Sequence, residues 1–238
     1  MVKQKKRACR IRPYKKKAKK QLYNKIIINH PNIRMRGGKE MDYLQALTNK
    51  ERQRVLDCYS GIETIIGPMA YTPMSVTSGR VLYEELEKTG LKSREEYEEK
   101  LGKRAFYDNV IRVNSERGIN FAQELAKRID IPVLCPAKLI SSGFSEEMYM
   151  ALWLQVVSRK AAELHMMPDW EYSNGAAEEY TRGIRRQKEG YDIRIYDNQG
   201  YEIPIDRGCR LITRALKEIN SRGYKAPRLE KCIESLTF

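Results

Sequence analysis

The sequence predicts an α/β fold in which a parallel sheet carries helices on both faces. Short apolar runs alternate with segments of helical periodicity along most of the chain, in the order strand, helix, strand, helix, strand, helix, strand. Such alternation requires crossover connections, which favour parallel strands. With 41% hydrophobic and 32% charged residues among 238, the composition suits one globular domain with appendages. Ligands of such sheets bind beyond the carboxyl ends of the strands.

The basic residues are concentrated at the N-terminus. Residues 1–22 contain eleven Lys or Arg and no acid, whereas the rest of the chain carries 34 basic and 31 acidic residues. We therefore predict a disordered basic arm over residues 1–22. Such an arm attracts nucleic acid by counterion release without reading its sequence. The alternative is a solvated segment that binds nothing in particular.

Several classes of protein are disfavoured by what the sequence lacks. No segment approaches the roughly 18 apolar residues of a membrane span, and the basic N-terminus is not followed by the apolar stretch of a secretory signal. The five cysteines form no CxxC pair, which argues against a disulfide framework and a structural zinc site. Without a Walker A motif, a GxGxxG motif or a metal-ligand cluster, we expect no cofactor and no metal. The expected location is cytoplasmic.

An N-terminal helical extension is predicted over residues 23–60. Thr48 and Glu51 have the spacing of a capping box, so a helix begins near residue 48 and ends by Gly61. The apolar run Ile62–Gly67, closed by Gly-Pro, predicts the first buried strand. The loop from Gly67 to Tyr71 would then follow that strand.

A charged insertion and a series of regular elements follow. Residues 78–104 are charge-rich and of helical period, broken at Gly90 and restarted at Ser93, and predict an inserted pair of mostly solvated helices. Beyond them we predict a helix around 119–129, a strand at 131–135, a helix at 148–161, a strand at 164–167, a helix at 176–187, a strand at 193–196 and a C-terminal helical extension at 201–238.

The start of the helix predicted at 176–187 is the strongest candidate for a binding site. It follows a strand-end loop with Ser173 or Asn174 as the N-cap, and its free N–H groups and positive dipole end suit an anion such as phosphate. On this helix Glu178 faces Arg182 and Arg185, as in a solvated ion-pair row. Glu179 shares its side with small residues, so we predict that Glu179 points inward.

These residues carry a resemblance to a known family. Gly67-Pro68-Met69, Cys135-Pro136-Ala137 and the run from Trp170 through Ser173, Asn174, Gly175 and Ala176 to Glu179 resemble the nucleoside 2-deoxyribosyltransferase-like superfamily. The similarity covers about residues 61–200 and is nearest to a small, often phage-borne branch of uncharacterised members.

The resemblance implies a flavodoxin-like fold and chemistry at the N-glycosidic bond of nucleosides or nucleotides. The family's glutamate attacks the anomeric carbon, and that residue would be Glu179 here. A serine six residues earlier goes with a 5′-phosphate in the family, and Ser173 holds that position, which favours a nucleoside 5′-monophosphate. Ser173 and the backbone from Asn174 through Gly175 to Ala176 would bind the 5′ end, and the loop from Gly67 to Tyr71 would hold the sugar or base. Trp170, in a loop at the end of a strand, would line the pocket. The family often completes its pocket from a neighbouring subunit, which implies a homo-oligomer.

Two positions depart from the family pattern. The family's strand-one tyrosine falls on Thr64, although Tyr71 offers a phenol nearby, and an acid of the strand-three segment falls on Ala162. Three functions therefore stay open from the sequence. They are hydrolysis or transfer at the N-glycosidic bond, nucleotide binding without catalysis, and association with nucleic acid through the basic arm.

Overall fold

A computed structural model describes residues 43–139 and 141–237 of the chain. The predicted basic arm and residues 23–42 of the predicted extension lie outside this part. The helices are α1 Tyr43–Ala46, α2 Asn49–Glu63, α3 Arg80–Thr89, α4 Arg94–Leu101, α5 Lys103–Phe106, α6 Arg112–Ala126, α7 Glu146–Arg159, α8 Asn174–Lys188, α9 Ile205–Ser221 and α10 Pro227–Leu236. The strands are β1 Ala70–Tyr71, β2 Val133–Leu134, β3 Glu163–His165 and β4 Arg194–Tyr196.

The four strands form one parallel sheet in the order β2-β1-β3-β4. This order is that of a flavodoxin-like sheet, in which the connections reverse direction between β1 and β3. The predicted α/β fold with a parallel sheet is therefore confirmed. A ligand crevice is expected where β1 and β3 end, because the loops leaving these two strands diverge there.

The first strand is not where the sequence pattern predicts it. Ile62 is buried in the last turn of α2, and Ile66, in the turn that follows the helix, is 94% exposed. The helix begins as predicted, because Thr48 and Glu51 form the capping box, but it ends two residues beyond Gly61. The prediction of a strand at Ile62–Gly67 is therefore wrong. The chain enters the sheet only at Ala70, where its N–H donates to the carbonyl of Pro132.

The inserted helices are more buried than their charge suggests. α3 and α4 are separated by Gly90, which caps α3 in the left-handed conformation, and Ser93 caps α4 as predicted. Leu86 and Tyr97 from these helices belong to the main hydrophobic core. The prediction of a mostly solvated pair is wrong, because one face of each helix packs against the domain while the opposite face carries the charges.

α8 packs closely on the sheet because its inner face is small. A Cβ atom on Gly183 would lie 2.6 Å from Leu164 Cδ1 of β3 and 3.0 Å from Ile195 Cδ1 of β4. Ala176, which lies about two turns before Gly183 on the same side of the helix, is completely buried. This agrees with the inward face that the sequence predicts for α8. In the described part of the chain, no helix has the length and apolar character needed to cross a bilayer.

Candidate functional site

Glu179 and Tyr71 form a buried pair at the carboxyl edge of the sheet. Tyr71 is the last residue of β1, and its hydroxyl donates a 2.7 Å hydrogen bond to Glu179 Oε1 on α8. Both side chains are buried, and the Tyr71 ring packs 5.9 Å from the Trp153 ring. Tyr71 thus supplies a phenol from β1 itself, whereas Thr64, the position aligned with the family's strand-one tyrosine, caps the C-terminus of α2.

Burial controls the ionisation of this pair. Burial, against the opposing hydrogen bond from Tyr71 and the charge of Arg228 and with a smaller contribution from the Glu178 carboxylate, raises the pKa of Glu179 to about 8. Burial also raises the pKa of the Tyr71 phenol well above 10. The phenol therefore keeps its proton and acts as the donor, and Glu179 is the member of the pair that titrates near neutral pH.

Ser173 organises the first turn of α8 next to this pair. Its side chain is the N-cap and accepts a hydrogen bond from the Ala176 N–H at 3.4 Å. Of the two N-cap residues that the sequence allowed, the structure selects Ser173. The hydroxyl of Ser78 lies 3.3 Å from that of Ser173, so the loop after β1 approaches the start of α8.

Gly79 allows this close approach. Its φ is +91°, and a Cβ atom there would lie 2.4 Å from the Ser75 hydroxyl oxygen. Gly79 is also the N-cap of α3. The first turns of α3 and α8 therefore flank the serine hydroxyls, and both present backbone N–H groups that helix geometry leaves without internal partners.

An aspartate in the loop between β3 and α8 has an unusual backbone conformation. Asp169 has a φ of +65°, the only non-glycine residue with positive φ in the described part of the chain. Its carboxylate pairs at 3.0 Å with Arg80 at the start of α3 and at 3.0 Å with Arg117 of α6. The guanidinium of Arg80 also lies 4.2 Å from the centre of the Tyr172 ring. These contacts fix the start of α3 against the loop that leads into α8.

Glu178, next to Glu179, lies in an ion-pair chain. Arg228 of α10 binds its two oxygens at 2.7 and 3.1 Å, and the Tyr43 hydroxyl donates to it at 2.8 Å. Arg228 and Arg94 both bind Glu146, at 3.3 and 2.9 Å. The prediction of Glu178 as solvated surface charge is wrong, because its side chain is only 15% exposed and is covered by α10.

A pocket of about 530 Å³ opens beside the first turn of α8. It is bounded by the start of α3, the start of α4 and the segment joining α9 to α10. Its walls include Ser78, Lys92, Asn174, Lys225 and Arg228. Glu179 and Tyr71 do not line it. Among the described residues, no group of three His, Cys, Asp or Glu side chains is placed to hold a metal ion.

Not every predicted site residue reaches this region. Gly67, Pro68 and Met69 precede β1, and the Met69 carbonyl accepts from the Ala162 N–H at the amino end of the sheet. These three residues therefore lie at the edge opposite to the expected crevice. Ala162 lies at that same edge, so an acid at this position would not project beyond the carboxyl ends of the strands.

The remaining predicted residues divide between packing and the pocket. Trp170 is buried, with its ring 4.7 Å from that of Tyr180. Gly175 faces Met150, whose sulfur would lie 3.2 Å from an added Cβ, and Ala176 is buried. Asn174 lines the pocket.

The sequence prediction missed five residues that the structure places in this region, namely Ser78, Asp169, Lys92, Lys225 and Arg228. Ser78 had a signal, since it lies in the segment that leaves β1 once that strand is placed at Tyr71. The other four are charged residues in polar segments, and their pattern does not distinguish them from surface charge.

Comparison with known proteins gives one match. A family model described as a domain of unknown function (DUF4406) matches residues 112–188. The matched region runs from α6 to the end of α8, so it includes Ser173 and Glu179 but not Tyr71, the insertion or the C-terminal helices. Neither a curated protein nor a solved structure matches the chain.

Proposed function

We propose that the protein cleaves or transfers at the N-glycosidic bond of a ribo- or deoxyribonucleoside 5′-monophosphate, with Glu179 as the nucleophile. The observation that carries this proposal is the 2.7 Å hydrogen bond from Tyr71 to Glu179 Oε1. It fixes one oxygen of a buried carboxylate at the carboxyl edge of β1 and leaves the other as the attacking atom.

The chemistry requires a carboxylate held against the anomeric carbon. Glu179 attacks that carbon, the bond to the base breaks, and the base leaves with the bonding electrons and takes up a proton. The glycosyl group, now held as an ester on Glu179, is then transferred to water or to a second base, and the Glu179 carboxylate is restored. Dividing the displacement into two steps is what a carboxylate nucleophile contributes at an oxocarbenium-like centre.

Two properties of Glu179 set conditions on this reaction. Its pKa of about 8 means that the reactive carboxylate becomes the major form only above that pH in the structure as it stands. Its side chain is 3% exposed, and the 530 Å³ pocket does not reach it. The proposal therefore requires that substrate binding opens access to Glu179.

The start of α8 supports the choice of a phosphorylated substrate. Ser173 is neutral and caps a 15-residue helix, whose first-turn N–H groups favour a negative charge. An aspartate at this position would repel a phosphate. The Ser78 hydroxyl, 3.3 Å from that of Ser173, adds a second neutral donor at the same place.

The test is the release of free base from a panel of ribo- and deoxyribonucleoside 5′-monophosphates, with and without an acceptor base. We expect base from at least one nucleotide with the wild-type protein and none with Glu179→Gln. Glu178→Gln is the matched control, because it removes the neighbouring carboxylate and should retain base release. Full activity of Glu179→Gln would contradict the nucleophile assignment.

A second candidate is a nucleotide-binding protein without catalysis. The buried hydrogen bond between Tyr71 and Glu179 favours this candidate. A buried carboxyl group that keeps its proton also serves as a structural element. It predicts that a nucleotide raises the melting temperature of the protein while no product forms. Stabilisation without base from any member of the panel would favour this candidate over the enzyme.

A further inference from the structure

The 530 Å³ pocket is built mainly by segments outside the region that the family model matches. Ser78, which precedes α3, and Asn174 of α8 line it. The insertion also lines it, through Lys92 and Ser93, and so does the segment between α9 and α10, through Lys225. Its volume falls in the range of roughly 300–1,000 Å³ that small-molecule sites occupy.

The charged side chains of the pocket are mostly positive. Lys92, Arg94, Lys225 and Arg228 line it, against two acids, Glu95 and Glu146. The two arginines already share Glu146. Lys92 and Lys225 form no salt bridge within residues 43–139 and 141–237, and the Lys92 ammonium lies 5.7 Å from the centre of the Tyr224 ring.

Lys92 and Lys225 line the pocket from different segments. Lys92 precedes α4, whose N-cap Ser93 also lines the pocket, and Lys225 precedes α10. Each ammonium group attracts an anion that enters the pocket, because opposite charges attract.

Asn174 gives the pocket a hydrogen-bond acceptor. Its Oδ1 is buried and has no hydrogen-bond partner among the residues that the structure describes. A ligand hydroxyl group could donate to this atom, since buried polar atoms are normally paired. The pocket thus offers ammonium groups that suit a phosphate and an acceptor that suits a hydroxyl group.

We propose that this pocket binds the sugar-phosphate part of the nucleotide, with Lys92 and Lys225 holding the 5′-phosphate and Asn174 Oδ1 accepting from a sugar hydroxyl. The inference rests on the proposed function for the identity of the ligand as a nucleotide. It assigns to the insertion and to the C-terminal helices a role in selecting phosphorylated substrates over nucleosides.

The experiment compares the Lys92→Ala/Lys225→Ala double variant with a charge-matched control. Lys217→Ala/Lys231→Ala removes two exposed lysines that do not line the pocket. Dissociation constants are measured by calorimetry in the Glu179→Gln background, so that the ligand is not consumed. The ligands are the 5′-monophosphates of the panel, the corresponding nucleosides and inorganic phosphate. Base release is measured separately with Glu179 intact.

We expect the pocket variant to lose affinity for the 5′-monophosphate by ~10-fold or more, because it lacks both ammonium groups that bind the phosphate. Its affinity for the nucleoside should change less than about twofold, because the nucleoside lacks the phosphate that the lysines bind. The control should behave like its parent. If inorganic phosphate also binds and its affinity falls equally in the pocket variant, the two lysines form an anion site that does not require the nucleoside.

The inference and the proposed function fail separately. Base release that persists with an unchanged affinity for the monophosphate in the pocket variant would overturn the inference alone. A loss of affinity confined to the pocket variant, with no base release from any nucleotide, would support the pocket and overturn the enzyme. Binding of none of the monophosphates by the parent protein would overturn the inference.

Discussion

Two adjacent carboxylates of α8 lie in opposite environments. Glu178 faces α10, where the Arg228 guanidinium binds both of its oxygens and the Tyr43 hydroxyl adds a third contact. Glu179 faces the sheet, where its one hydrogen bond in the described part of the structure comes from the Tyr71 phenol. Both are glutamates on the same turn, yet one is matched by a full positive charge and the other only by a dipole.

The difference shows that neighbouring residues of one helix can have separate roles, one in structural contacts and the other in proton-dependent chemistry. A carboxylate that binds an arginine holds elements together, as Glu178 holds α8 to α10. A carboxylate that is buried against a phenol has a raised pKa and retains a proton that it can lose near neutral pH.

The largest expected effect is on the pH dependence of stability when Glu179 becomes glutamine. Its ordinary pKa of 4.5 in the unfolded chain rises to about 8 in the folded protein. Between these values the folded state holds a proton that the unfolded state has lost, so the free energy of unfolding of the wild type falls as pH rises. Glu179→Gln removes this loss.

We therefore expect the free energy of unfolding of Glu179→Gln, relative to that of the wild type, to increase by on the order of a few kcal/mol as the pH rises from 5 to 8. One pKa unit corresponds to about 1.4 kcal/mol. Urea unfolding at pH 5, 6.5 and 8 measures this difference. A difference that does not change with pH would mean that Glu179 is already ionised at pH 5 in the folded protein.

The second prediction concerns the other carboxylate. Arg228→Met keeps much of the side-chain volume but leaves Glu178 without its guanidinium in a site where the two side chains are 15% and 23% exposed. We expect a loss of about 2–3 kcal/mol, below the 3–5 kcal/mol typical of a fully buried pair, because residual solvent screens the stranded charge. Thermal and urea unfolding at neutral pH measure it.

Arg112→Met is the matched control for Arg228. Arg112 pairs with Asp108 and Glu116, but its side chain is 50% exposed. Its loss should cost less than about 1 kcal/mol, as is usual for surface ion pairs. Equal losses in the two variants would mean that the ion-pair chain of Glu178 contributes no more than a surface pair.

The two sides of α8 also differ in how far the sequence could predict them. The inward direction of Glu179 followed from local spacing, since Ala176 and Gly183 lie on its side of the helix. The partner of Glu178 could not be found in this way, because Arg228 lies 50 residues along the chain. The spacing of Arg182 and Arg185 from Glu178 predicted a row of ion pairs on the surface of the helix instead.

The start of the sheet was mispredicted for a related reason. Ile62, Ile65 and Ile66 are apolar and precede a Gly-Pro turn, which is the pattern of a buried strand. In the structure Ile62 packs from the end of a helix and Ile66 is exposed, so the actual strand is the shorter segment Ala70–Tyr71. A strand of two residues is too short to show any periodicity, and only pairing with β2 and β3 defines it.

The smallest expected effect comes from Tyr71→Phe, which removes the single dipole that faces Glu179. The ring can keep its packing against Trp153, so the loss is that of one buried hydrogen bond, about 1–2 kcal/mol. Because this hydrogen bond lowers the pKa of Glu179, its removal should raise that pKa further. The pH at which base release rises should therefore move upward, with a lower rate at pH 7. Rate measurements from pH 6 to pH 10 test the shift.

Tyr59→Phe is the control for Tyr71→Phe, since Tyr59 is also buried and forms no hydrogen bond through its hydroxyl to the residues described. It should leave the pH dependence of base release unchanged. If Tyr71→Phe lowered the rate equally at every pH, the phenol would act only by orienting the carboxylate. If it left both the rate and its pH dependence unchanged, the bond between β1 and α8 would have no part in the reaction. The comparison of the two glutamates would then hold for stability alone.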